Sequence, residues 1–132
     1  MNTRVDCFFL IATFLVNCAG SLPRVRDVTE LAPPQKVQYE IQNRSVFLTW
    51  QASPHAANAH FAGYNIYIAK KSLILAPIKD LPRPIRLDKK ETQYELKNLQ
   101  RDAKYFIHLR SRNTKGEISL PSLPELVVPA NK

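Results

Sequence analysis

From Pro34 onward, apolar side chains recur at every second residue in short runs, and turn-forming residues separate the runs. In KVQYEIQNRSVFLTWQASP, Val37, Tyr39 and Ile41 alternate with polar residues, QNRS interrupts, and Val46, Leu48 and Trp50 resume the alternation. FAGYNIYIAKK repeats it with Tyr64, Ile66 and Ile68. TQYELKNL does so with Tyr94 and Leu96, and KYFIHLRSRN with Tyr105, Ile107 and Leu109, before PELVVP closes the series. A period of two sends alternate side chains to opposite faces of a strand. Several such strands at close spacing hide one row each between two sheets, so the pattern predicts an all-β, antiparallel sandwich.

Composition agrees. Three glycines against ten prolines disfavour helices and suit strands joined by rigid turns. The chain has 132 residues, enough for one domain and an extension, and it shows no heptads, internal repeat or low-complexity tract. The formal net charge of +8 favours anionic partners. Carboxylates at Asp80, Asp88, Glu91, Glu95 and Asp102 are interspersed among the basic residues. Mixed signs predict a solvated surface rather than a stripe specific for nucleic acid, while anionic lipid headgroups and acidic glycans stay open as contacts.

Four stretches, in order along the chain, resemble a fibronectin type III domain. VFLTWQASP is similar to the family's second strand with its core tryptophan, Trp50, and AGYNIYIAK to the third strand, with Tyr64. In LQRDAKY, Leu99 stands six residues before Tyr105, the spacing of the family's tyrosine corner. RSRNTKGEISLPS is similar to the turn from sixth to seventh strand, with Asn113 and Gly116. The resemblance implies a seven-stranded immunoglobulin-like β-sandwich over residues 34–130, with Trp50, Tyr64, Leu99 and Tyr105 as structural core. It also implies a Tyr105 hydroxyl bonded to backbone near Leu99, and no catalytic chemistry or cofactor.

The first 33 residues read differently. CFFLIATFLV, Cys7 to Val16, is uncharged, follows Arg4, and is too short to span a bilayer, so residues 1–17 are expected to be an export signal. Two cleavage readings stay open. CAG allows cutting after Gly20, which leaves no cysteine in the mature chain. LVNC, residues 15–18, resembles a bacterial lipobox of the looser spirochaete type, with Asn17 where most have glycine or alanine. That resemblance implies acylation of Cys18 and attachment to a membrane through an N-terminal lipid, which multiple acyl chains would hold firmly. Residues 18–33, with two prolines and no aromatics, are then expected to be a flexible tether reaching roughly 50 Å at about 3.3 Å per residue.

No metal signature surrounds His55, His60 or His108, and no serine elbow or phosphate loop occurs. An enzyme, a metal site and a cofactor are therefore not expected. Between Lys70 and Thr92 a long, proline-containing excursion should include a short edge strand near 84–87, with Leu73 to Leu75 folded over the open end of the sandwich. If Tyr105, Ile107 and Leu109 face inward, then Phe106, His108, Arg110 and Arg112 face outward beside Tyr67 of the neighbouring strand. Aromatic and arginine side chains are common interface anchors, so these five form the candidate binding face. The expected function is a non-enzymatic lipoprotein of the bacterial cell envelope, on the outer membrane or cell surface, binding a protein or glycan. The alternatives are an accessory subunit of an envelope complex and a secreted module.

Overall fold

A computed structural model describes residues 21–130; the expected export signal and Cys18 lie outside them. The seven strands are β1 (Gln35–Gln42), β2 (Ser45–Gln51), β3 (Phe61–Ala69), β4 (Ile85–Asp88), β5 (Gln93–Leu96), β6 (Tyr105–Asn113) and β7 (Leu126–Val128). They form two antiparallel sheets, β1-β2-β5 and β4-β3-β6-β7. Among the described residues there is no α-helix. The expected edge strand is β4, four residues long and paired on one side only, with β3. Pro82 and Pro84 just before it lack the N–H that a further strand would need.

The inward rows are those the alternation assigns, except that Ile41, at the end of β1, is 45% exposed. Leu48, Tyr64, Ile66, Ile107 and Leu109 are sealed from solvent, and Val46, Trp50, Phe61 and Leu96 nearly so. Tyr64 receives Trp50 and Phe61 edge-on, with ring centroids 5.7 and 5.3 Å away. Such edge-to-face pairs suit the ring quadrupoles. The buried Tyr64 hydroxyl accepts the Ser53 backbone N–H at 3.0 Å. The tyrosine corner is formed as well. The Gln100 backbone N–H donates to the Tyr105 hydroxyl at 3.0 Å, with Leu99 half-buried against the core.

The N-terminal segment departs from expectation. Residues 24–33 are no tether but an arm laid on the sandwich. Val25 bridges Ile118 in parallel, with Ile118 N–H donating to the Arg24 carbonyl at 2.9 Å and Arg26 N–H to the Ile118 carbonyl at 2.8 Å. A turn follows, in which Asp27 caps Thr29 and its carbonyl accepts the Leu31 N–H. Leu31 and Ala32 are then buried, Leu31 within the main core cluster. The Ala32 carbonyl accepts hydroxyls from both Ser53 (2.6 Å) and Ser111 (2.7 Å), and the Ala32 N–H donates to His55 Nδ1 at 2.9 Å. His55 is thus a clamp on the arm. The packed domain begins before residue 34 because Leu31 is part of the main core cluster.

Candidate binding cleft

The outer face of the four-stranded sheet was expected to be an exposed row. The register is as expected: Tyr67 stands opposite His108, Asn65 opposite Arg110 and Ala69 opposite Phe106. The exposure is not. Tyr67, His108 and Arg110 are 3%, 0% and 4% exposed, while Phe106 and Arg112 are half-buried. Three of the five proposed contact residues are therefore buried, although Tyr67 also borders an open cleft.

Two segments cover them. The first is the stretch after β6, SLPSLP. Its prolines cannot donate to a ladder, so serines supply the pairing instead. Ser119 N–H donates to the Ser111 carbonyl while its hydroxyl accepts the Ser111 N–H, both at 2.9 Å. Ser122 does the same for Leu109, at 2.8 and 3.0 Å. The second is the excursion after β3. Leu73 is buried outside the main core cluster, and its N–H donates to Glu125 at 2.8 Å while the Ser72 hydroxyl donates to the other oxygen at 2.6 Å. The Leu73 to Leu75 segment thus closes part of the outer sheet face, not the open end of the sandwich, and Leu75 points away, 92% exposed.

Beneath this cover, Arg110 donates to the Ser119 carbonyl at 2.9 Å and to His108 Nε2 at 3.3 Å. It also lies over the Tyr67 ring, 5.9 Å from its centroid. Burial first, and the Arg110 charge second, push His108 down to about 4, although Glu125 stands 3.9 Å from its Nδ1. The sign of the linkage follows. Between the ordinary value of 6.5 and about 4 the unfolded chain binds a proton that the folded chain does not. Stability therefore falls as pH drops through that window, by on the order of 3 kcal/mol at about 1.4 kcal/mol per pH unit. The thermal midpoint is expected to decline steadily from pH 7 to pH 4, and a His108→Gln variant to show a much flatter profile. An equal slope in both would remove His108 as the cause.

Where the cover ends, the outer face opens into a cleft of about 730 Å³ between the N-terminal arm, the approach to β4 and the β6 turn. Six of its lining residues are basic: Arg24, Lys79, Arg83, Arg86, Arg112 and Lys115. None of the six makes an ion pair among the described residues. Five are exposed and Arg112 is half-buried. Arg112 reaches across β3 to donate to the Leu87 carbonyl at 3.0 Å. It can do so because Gly63, at φ +143°, has no Cβ; one would sit 3.1 Å from its guanidinium. Burial and then the like charge of Arg86 push Arg112 below its ordinary value, with Asp88 acting in the opposite direction.

The one carboxylate of the cleft lining is Glu117. It is already engaged by Arg26 at 2.8 Å and by the Asn113 side-chain amide at 2.7 Å. The Arg26 hydrogen bond, followed by that of Asn113, holds Glu117 down to about 2. It therefore stays an anion held by Arg26 and Asn113, with the charge of Lys115 acting on it more weakly.

Sequence reasoning placed Arg112 and Tyr67 here but missed the other cations. They come from three separate stretches, and only the docked arm and the excursion bring them together. Among the described residues no group of His, Cys, Asp and Glu is placed to hold a metal ion, and no helix is long and apolar enough to cross a membrane.

Two packed antiparallel sheets, a tyrosine corner and a core tryptophan on the second strand define an immunoglobulin-like sandwich of the type that presents binding surfaces. The family model for the fibronectin type III domain matches residues 32–125, in agreement with a domain that begins at the buried arm. The chain belongs to the fibronectin type III family, and the domain is a non-catalytic module. Among solved structures it is similar to the chicken CNTN1 FN1–FN3 domains (15% identity, TM-score 0.57), covering 83% of this chain and 31% of that one, so it spans about a third of that three-domain chain. A Fn3-like protein from Clostridium thermocellum matches at 20% identity and TM-score 0.56, covering 77% of this chain and 95% of that one. The FN3 domain of human collagen XX matches at 19% identity and TM-score 0.52, covering 73% and 88%. At these identities the likeness is one of fold. No curated protein matches the chain.

Proposed function

We propose that this chain is an exported, non-enzymatic module that binds a protein or glycan through the basic cleft, not through the covered His108–Arg110 pair. The observation that carries this reading is the set of six cations without ion-pair partners around one concavity. Like charges held together in a cleft focus a field that recruits an anionic partner. Its export rests on the apolar N-terminal run. In the secreted form, cleavage after Gly20 would free Ser21, itself part of the cleft lining. In the anchored form, Cys18 would carry the lipid.

The experiment is a binding screen of the labelled domain against arrayed proteins and glycans, paired with the mass of the mature N-terminal peptide. Saturable binding that weakens with salt and disappears in the double variant Arg83→Glu, Arg86→Glu is expected, with a mature chain starting at Ser21 or acylated Cys18. Binding indifferent to that charge reversal would relocate the site, and a cellular chain retaining Met1 would end the export reading.

A further inference from the structure

We infer that the ligand of this cleft is an acidic saccharide, a short stretch of sugar rings bearing carboxylate, sulfate or phosphate groups. The inference rests on the proposed role of the cleft as the binding site and specifies what fills it. Three observations converge on it.

The first is charge. Arg86 and Arg112 flank β3 within range of each other's field, and Arg24, Lys79, Arg83 and Lys115 extend the positive lining around them. A single small anion would meet one or two of these groups. Six cations spread along a concavity fit a ligand with several separated negative charges.

The second is the neutral part of the lining. Tyr67, Asn65, Asn113 and Thr114 line the cleft between the cations. Asn65 is 4% exposed and donates to Tyr67 at 3.2 Å, while its amide oxygen has no hydrogen-bond partner. Such neutral donors and acceptors beside the cations suit a ligand that carries hydroxyl groups as well as charges.

The third is shape. Pro23, Pro82 and Pro84 give the walls rigid, flat, apolar rings. The volume falls within the roughly 300–1,000 Å³ range of small-ligand sites, enough for a few sugar rings and small for a folded partner. The same prolines work against an acidic peptide, because a peptide would most readily add as a strand along β4. That edge is only four residues long and follows two residues without an N–H.

Calorimetric titration of the described domain, residues 21–130 with its arm, tests this with four probes: a uronic acid tetrasaccharide, a sulfated tetrasaccharide, a neutral tetrasaccharide of the same length, and inorganic phosphate. At least one acidic tetrasaccharide is expected to bind at least tenfold more tightly than both the neutral one and phosphate. Its affinity should fall severalfold between 50 and 200 mM salt, as roughly expected of multiple ionic contacts. Arg83→Glu with Arg86→Glu, both exposed positions, should weaken it a further tenfold or more with circular dichroism unchanged. Arg101→Glu, outside the cleft, should not. Three outcomes would overturn the inference: equal affinity for the neutral tetrasaccharide, binding of phosphate alone, or no effect of the double variant. Failure here together with retained, charge-sensitive binding to an arrayed protein would leave the binding-module reading standing and replace only the ligand.

Discussion

Gly63→Ala is expected to strip β4 from the sheet and to disable the cleft at once. A Cβ at this position would lie 2.0 Å from the Leu87 carbonyl oxygen, a backbone atom that no side-chain rotation can move. The backbone there, at φ +143°, is also a conformation that side-chain-bearing residues rarely adopt. Relief requires β4 to separate from β3, losing the Gly63–Asp88 to Ile66–Ile85 ladder. The combined strain and overpacking should lower the unfolding free energy by about 2–4 kcal/mol. Hydrogen exchange makes the result specific. Amides of Ile85–Asp88 should lose protection far more than those of β2 or β6, and Arg112 should lose its seat on Leu87. A variant with undiminished stability and unchanged β4 protection would show that the strands can part at that point without cost.

Trp50→Ala should be the most destabilising side-chain truncation in the main core. Trp50 is 5% exposed, packs edge-on to Tyr64, and belongs to the main core cluster. Deleting a buried tryptophan costs about 3–5 kcal/mol, most of which the surrounding atoms cannot recover by collapsing. Small domains have about 5–15 kcal/mol in total, so the variant should unfold near or below ambient temperature. Urea unfolding followed by circular dichroism is the measurement, since Trp50 is the only tryptophan. Trp50→Phe separates packing from polarity. The Trp50 indole N–H is buried with no acceptor, a penalty that phenylalanine would remove. It should therefore cost well under half as much as alanine. Equal losses for both would mean that the indole's size, not its burial of apolar area, is what the core requires.

The strands, the sandwich and the tyrosine corner were legible because each is written locally. Alternation over five to nine residues assigns a face, and Leu99 and Tyr105 lie six residues apart. Alternation does not say whether the second face is wet. Tyr67, His108 and Arg110 were placed correctly on the outer row, but their cover comes from Ser119, Ser122 and Leu73, single residues in segments without periodicity. The same limit hid the arm. Val25 makes one isolated bridge and Leu31 adds one side chain to the core, and neither produces a repeating pattern. The cleft was least legible, because its cations lie in the arm, the excursion and the β6 turn. Their common location is a product of the tertiary fold.

The arm also fixes how force would pass through the molecule. It pairs at Ile118, next to Arg112 near the end of β6, whereas Val128 pairs with Tyr105 at the beginning of that strand. Chain entering at the arm and chain leaving past β7 therefore emerge from opposite poles, separated by about the length of β6. Nine residues at roughly 3.3 Å each make that about 30 Å. Tension between the two ends would fall first on the arm's two backbone hydrogen bonds at Ile118 and on the short β6–β7 ladder. The cleft lies at the pole where the arm enters, and a pull strong enough to peel Arg24 and Val25 from Ile118 would dismantle one wall of it before the sandwich itself gave way.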